Sequence, residues 1–246
     1  MTSLVSRRFL ALLAAAGLVA SGTARPEPPA APASGPAHLA ELFVSQACGN
    51  CPGAMRVIAE EVAHHPDVFV LTWSVDYWDY LGWQDSFARP EFAARQAEYA
   101  ARLKARGPYT PMLVVDGRMQ VAGNKKRKVC TAFDGLRSDL SADMAVVDFP
   151  AGAFSFNVDG RSGMQLELIE YTPGQFVFTP PAGSNAGRDM IYTNLVTSSA
   201  PLEMSPDGEV SGNCKSQCVV IARVSDPSPG SFLIARMGDG DPASPD

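Results

Sequence analysis

Cys48-Gly49-Asn50-Cys51 stands between an apolar run, Leu39 to Val44, and a stretch whose apolar residues recur at helical spacing. Met55, Ile58, Ala59 and Val62 fall on one helix face, and Pro66-Asp67 closes that segment. A C-x-x-C at a strand-to-helix junction restricts the fold more than the same spacing in a loop. It implies a chain that alternates strand and helix, and the residues that follow do so. Val68 to Val75 is a β-branched and aromatic run, read as a buried strand. Asp76 to Trp83 is an aromatic loop. Pro90 opens a second helix, since its fixed φ suits the first helical position. Phe92, Gln96, Tyr99 and Leu103 form the inner face of that helix, with Gln96 a mismatch. After Thr110-Pro111, a hairpin is expected with Met112 to Val115 and Arg118 to Val121 around Asp116-Gly117. Val129, Phe133, Leu136 and Leu140 mark a last helix.

The pattern changes near residue 145. From there to about Met237, short strand-like runs are broken by Gly, Pro, Asn and Asp. Leu166, Leu168 and Phe176 to Phe178 read as core strands, and Asn185-Ala186-Gly187-Arg188 as a polar turn feeding Met190 to Val196. The expected class is α/β: an alternating domain over residues 37–144, then a β-rich, sandwich-like region over 145–238. A tail, 239–246, is expected to be disordered. Ahead of the first domain, Arg7 and Arg8 precede an apolar run from Phe9 to Ala20, and Gly22 and Ala24 suit a peptidase cut. That run is short for a bilayer, which takes about 20 residues. Residues 1–24 therefore read as a cleaved export signal, of twin-arginine or general secretory type, and not as a stable membrane anchor. Residues 25–36 are a Pro/Ala-rich linker. Cutting after residue 24 removes two arginines and no acid, so the charge moves from −6 to −8. A chain with 20 basic and 26 acidic side chains has no polybasic surface for phosphates, so nucleic acid is not an expected partner.

An exported chain meets an oxidising compartment, where thiols pair or exchange. A thiolate on Cys48 at a helix N-terminus would be stabilised by unpaired N–H groups and the macrodipole. Cys51, about one turn further in, could then resolve a mixed disulfide. Two other readings stay open: a static disulfide, or half of a zinc site completed by Cys214-x-x-x-Cys218. Five cysteines leave one thiol over. We expect a short Cys214–Cys218 disulfide and a buried, free Cys130, with Cys130 bonded to one of those two as the rival pairing. Trp78, Tyr80 and Trp83 either wall a peptide groove beside Cys48 or pack over the sheet. Lys125-Lys126-Arg127-Lys128 is a solvated helix start or a docking patch, and its charges oppose the macrodipole, which argues for a later helix start.

Strand, CxxC, helix and then Thr-Pro ahead of a hairpin resemble the thioredoxin-like fold. More closely, ELFVSQACGNCP, SVDYWDYLGWQDSFA, RGPYTPMLVVDGR and NAGR resemble an exported bacterial family known as domain of unknown function 1223. The resemblance runs over roughly residues 38–237 and implies a thioredoxin-like first half with a β-rich second half. It implies that Thr110-Pro111 is a cis-proline turn facing the CxxC, where the backbone pairs with an extended substrate peptide. It also implies a role for Glu41, seven residues before Cys48, as a buried acid that takes a proton from Cys51. The bland reading of Glu41 is an outward-facing carboxylate.

The expected function is thiol–disulfide exchange with extended polypeptide segments, outside the cytoplasm. Cys48 and Cys51 carry the electrons, Glu41 assists, and Thr110, Pro111, Trp78 and Tyr80 bind substrate. The partners are cell-envelope proteins bearing thiols or disulfides, with a redox protein as electron source. No metal or organic cofactor is called for. The alternative is a non-enzymatic envelope module on the same scaffold with a static disulfide.

Overall fold

Strand β1 (His38–Val44) is buried along all seven of its residues. It lies between two strands and under two layers of helix, which is why its sequence is nearly continuously apolar. In this structure, a computed structural model, residues 38–136, 146–149, 151–157, 164–224 and 232–233 are described. The segments expected at 1–24, 25–36 and 239–246 lie outside them, as does Leu140.

Helix α1 (Cys51–Glu61) follows β1 and leads to β2 (Val68–Ser74). A single 3-10 turn (Asp79–Leu81) precedes α2 (Pro90–Arg102), then come β3 (Met112–Val115), β4 (Met119–Ala122) and α3 (Lys126–Asp134). β1 pairs in parallel with β2 and antiparallel with β3, and β3 pairs with β4. The pleat sorts the side chains of β1 between two cores. Ala40, Leu42 and Val44 join Met55, Ile58, Val129 and Phe133, and with them Cys48 and Cys51. Leu39 and Phe43 point the other way, to Trp73, Phe92 and Tyr99. Each large apolar side chain so buried contributes about 1.5–3 kcal/mol.

Asp116 and Gly117 both have positive φ, 49° and 61°, the backbone of a tight hairpin. Asp116 is held there by its carboxylate, which accepts from the Leu39 amide at 2.9 Å and meets His38 Nδ1 at 2.8 Å. Gln96, the mismatch on α2, is fully buried and donates to the Tyr109 carbonyl at 2.6 Å. Helix α3 begins at Lys126, not later, despite its basic first turn. Lys126 meets Glu60 of α1 at 2.9 Å, and all four basic side chains are exposed.

The second half is β-rich, as its sequence indicates: β5 (Val146–Phe149), β6 (Gly152–Asn157), β7 (Met164–Phe178), β8 (Met190–Leu202), β9 (Glu209–Cys214), β10 (Gln217–Val224) and β11 (Phe232–Leu233). Most of these strands extend the sheet of the first half. The order is β11-β10-β7-β8-β2-β1-β3-β4, with β5 also on β10, while β6 and β9 form a separate pair. The seam between halves is β2 against β8, where Thr72 registers with Leu195. Side chains complete it: Thr72 Oγ1 donates to the Thr193 carbonyl at 2.7 Å, and Asn194 Nδ2 to the Val70 carbonyl at 2.8 Å. Asn194 sits at φ 47°, a left-handed conformation that asparagine tolerates. Among the described residues, no helix is long and apolar enough to cross a membrane.

Candidate functional site

Cys48 and Cys51 form a disulfide across the entry to α1, their Cα atoms 5.4 Å apart. Cys51 is the first helical residue and Asn50 the N-cap, so Cys48 lies just ahead of the helix rather than on it. The first turn carries no acidic side chain, Asn50 makes no side-chain cap, and Pro52 removes one orphan donor. The sulfur pair lies close beneath the surface. Cys48 is 4% exposed and Cys51 0%, under the exposed turn residues Gly49 and Asn50.

The loop that carries Cys48 is fixed by two distant segments. Gln46, fully buried, has every polar group engaged. Its amide donates to Asp85 Oδ2 at 2.7 Å and its Nε2 to Ser86 Oγ at 3.1 Å. Its Oε1 accepts from the Trp83 indole at 2.8 Å, and its carbonyl from Asn185 Nδ2 at 2.8 Å. Asn185 Nδ2 also donates to the Cys48 carbonyl at 2.8 Å. Arg188 reaches Asn185 Oδ1 at 2.9 Å and the Gly49 carbonyl at 3.3 Å. The 180s loop seats directly on Trp83. A Cβ on Gly183, at φ +79°, would meet the Trp83 Cβ at 2.8 Å, so only glycine allows that approach.

Asp85 is 6% exposed. Burial raises its carboxyl to about 6, against the opposing pull of the Gln46 and Phe87 amides, and the negative Asp79 nearby adds to the rise. This buried acid lies behind the CxxC loop, and the sequence reading did not single it out.

Glu41 does not reach the cysteines. Its odd position puts it on the opposite face of β1, with Leu39 and Phe43, under α2. There it is 1% exposed, accepts Arg95 Nε at 2.6 Å, and takes a short hydrogen bond from the Tyr99 hydroxyl. Arg95 also makes a short contact with Glu167 of β7 and lies 4.6 Å from the Trp73 ring centroid. The role expected for Glu41 beside Cys51 is therefore corrected, and so is the outward-facing alternative: it is one partner of a buried ion cluster.

The Thr110–Pro111 peptide is cis. Pro111 and Ala54, on the first turn of α1, border one glycine: a Cβ on Gly123 would lie 3.4 Å from each. Thr110 Oγ1 accepts from the Trp78 indole at 2.8 Å, which ties the aromatic loop to this turn. Trp78 and Trp83 are thus committed to structural hydrogen bonds, while Tyr80 is 79% exposed and Leu81 beside it 50%.

Cys214 and Cys218 are bonded to each other, in an apolar cluster with Phe156 and Leu166. They stand apart from the cluster that holds Cys48 and Cys51, so the four do not form one zinc site. Cys130 is free and half-buried rather than buried. Burial pushes its thiol up, and the adjacent Glu61 carboxylate adds to that.

A family model described as a protein of unknown function (DUF1223) matches residues 39–220. Among solved structures, one is a protein of Agrobacterium tumefaciens, 26% identical, with a TM-score of 0.60 over 80% of this chain and 90% of that one. Another is HBP35 of Porphyromonas gingivalis, 13% identical, with a TM-score of 0.50 over 87% of this chain and 79% of that one, a likeness of fold alone. A comparison with curated proteins finds no match. On the family match, the chain belongs to the DUF1223 family.

Proposed function

We propose that this member of the DUF1223 family exchanges disulfides with extended polypeptide segments on a thioredoxin-like scaffold, outside the cytoplasm. The observation that carries the reading is the Cys48–Cys51 disulfide at the entry to α1, with Cys48 the outer sulfur. In the reducing direction the Cys48 thiolate attacks a substrate disulfide, forming a mixed disulfide and releasing one substrate thiolate. The Cys51 thiolate then attacks Cys48 Sγ and releases the second, which takes up a proton from solvent. The substrate has gained two electrons and the protein is left in the bonded form described above. A dithiol protein resets it, and the same steps run backwards when the pair oxidises a substrate. Residues 1–24 deliver the chain across the membrane.

Substrate lies along Thr110 and Pro111, with Tyr80 as an exposed anchor and Trp78 positioning Thr110 through its indole N–H. Aromatic anchors of this kind carry much of the affinity at peptide sites. Tyr80→Ala is expected to raise KM for a disulfide-bonded polypeptide about tenfold, the loss of roughly 1.4 kcal/mol of contact. Reduction of the pair by a small phosphine should not change. Equal effects on both, or none on either, would remove Tyr80 from the substrate site.

Two measurements test the main reading. The Cys48–Cys51 potential should lie above about −300 mV, where exchanging pairs are found. Cys51→Ser in the native cell should accumulate mixed disulfides through Cys48. A lower potential with no trapped partner would favour the second reading, an envelope-binding module with a static bridge, which the 4% exposure of Cys48 supports.

A further inference from the structure

Gln46 is fully buried two residues before Cys48. Its side chain and carbonyl are held by Ser86, Trp83 and Asn185, none of which changes charge near neutral pH. Its amide is held by Asp85, which does. The two oxygens of Asp85 divide their work: Oδ2 accepts from Gln46 and Oδ1 from the Phe87 amide at 2.9 Å. One carboxylate thus joins the CxxC loop to the segment leading into α2.

The groups facing Asp85 come from three directions. Asp79 Oδ1 accepts the Asp85 amide at 3.0 Å, which brings a second carboxylate close. Tyr192 of β8 is fully buried, which raises its phenol above the ordinary range, and the Asp85 charge adds to the rise. Ser74 at the end of β2 is buried beside both. A proton accepted from solvent removes the charge that strengthens both amide bonds and turns one Asp85 oxygen into a hydroxyl, a weaker acceptor. The acid therefore holds the two amides less tightly than the carboxylate does.

We propose that Asp85 is a positioning residue that makes the CxxC loop pH-responsive, gripping the Gln46 amide when ionised and holding it more loosely when protonated. This deepens the exchange reading above and rests on it. The carboxyl value of about 6 places the change in the mildly acid range. Because the folded value lies above the ordinary one, the fold favours the protonated form. The loosened state is therefore filled on going below pH 6 and emptied above it. Cys48 is 4% exposed in the gripped loop, so attack on its sulfur is faster in the loosened one.

The test uses the full mature chain. Backbone amide shifts of Gln46 and Phe87, followed from pH 4.5 to 8, should titrate together with a midpoint near 6. Reduction of Cys48–Cys51 by tris(carboxyethyl)phosphine, taken as a ratio to reduction of glutathione disulfide, should rise several-fold below that midpoint. Asp85→Asn should flatten the ratio across the range, and Asp85→Glu should restore an inflection. Flat amide shifts in the wild type would overturn the inference without any variant, as would the same inflection in Asp85→Asn. If the disulfide resists reduction at every pH while the amides titrate, the exchange reading fails and the Asp85 grip stands. A disulfide that exchanges with no inflection leaves exchange standing and removes Asp85.

Discussion

Replacing Arg95 with methionine is expected to lower the unfolding free energy by about 3–5 kcal/mol, a large part of the roughly 5–15 kcal/mol that holds an ordinary domain folded. The guanidinium is 5% exposed and bonds Glu41 and Glu167 together. Burial alone would depress it, but Glu41, with Tyr99 and Glu167, keeps it above its ordinary range. Removing only the cation leaves Glu41, 1% exposed, beside a tyrosine hydroxyl and no positive partner. The deficit should shrink in acid, where Glu167, whose carboxyl burial already raises and which has lost the lowering effect of Arg95, takes up a proton. Converting all three members to apolar residues of similar volume should recover most of the loss, because the desolvation of three charges is then avoided. Urea titration of the single and triple variants is the measurement, and a single-variant loss under 1 kcal/mol would mean that the cluster is not a desolvated ion set. Since the cluster lies on the far face of β1, Glu41→Gln should leave the pH profile of the proposed disulfide exchange unchanged.

What could be read from the sequence was what local physics decides. The CxxC at a strand-helix junction, Pro90 at the first position of α2 and Asp116-Gly117 in a hairpin each depend on a few adjacent residues. The place of Glu41 was hidden because β1 is apolar on both faces: Leu39 and Phe43 flank it as Ala40 and Leu42 flank their neighbours, so alternation names two faces without saying which carries the cysteines. Arg95 was hidden for a related reason. Helical periodicity marks apolar residues, and a buried arginine next to Gln96 reads as part of the solvent face. Asp85 lies two residues beyond the aromatic loop and carries no local signal, although its carboxylate meets a backbone amide 39 positions earlier. The continuation of one sheet through both halves rests on Thr72 and Asn194 reaching across the seam, which a change of pattern near residue 145 conceals. NAGR shows the limit most clearly. It reads as a turn, and it is a turn, but its asparagine closes contacts 139 and 137 positions away.

Those contacts set the second large effect. Asn185→Asp should lower stability by about 2–4 kcal/mol and speed chemical reduction of Cys48–Cys51. The Nδ2 group donates to two buried carbonyls, of Gln46 and Cys48. A buried acceptor left without its donor costs about 1–3 kcal/mol. Aspartate keeps the shape and turns the donor into an oxygen that faces both carbonyls. Arg188 offsets only part of that repulsion, because it sits on the exposed side and meets the other oxygen of the residue. Asn185→Ala removes the donor without adding charge and should move both quantities the same way by less. Arg188→Ala, at the surface, should cost about 0.5–1.5 kcal/mol, an ordinary hydrogen bond. Thermal unfolding and phosphine reduction on the same samples separate two roles for the loop. If stability falls while the reduction rate stays fixed, Asn185 braces the fold and does not govern access to Cys48. If both move in the order Asp, Ala, Arg188→Ala, the segment that the sequence presents as a plain turn is what keeps the CxxC loop closed over Cys48.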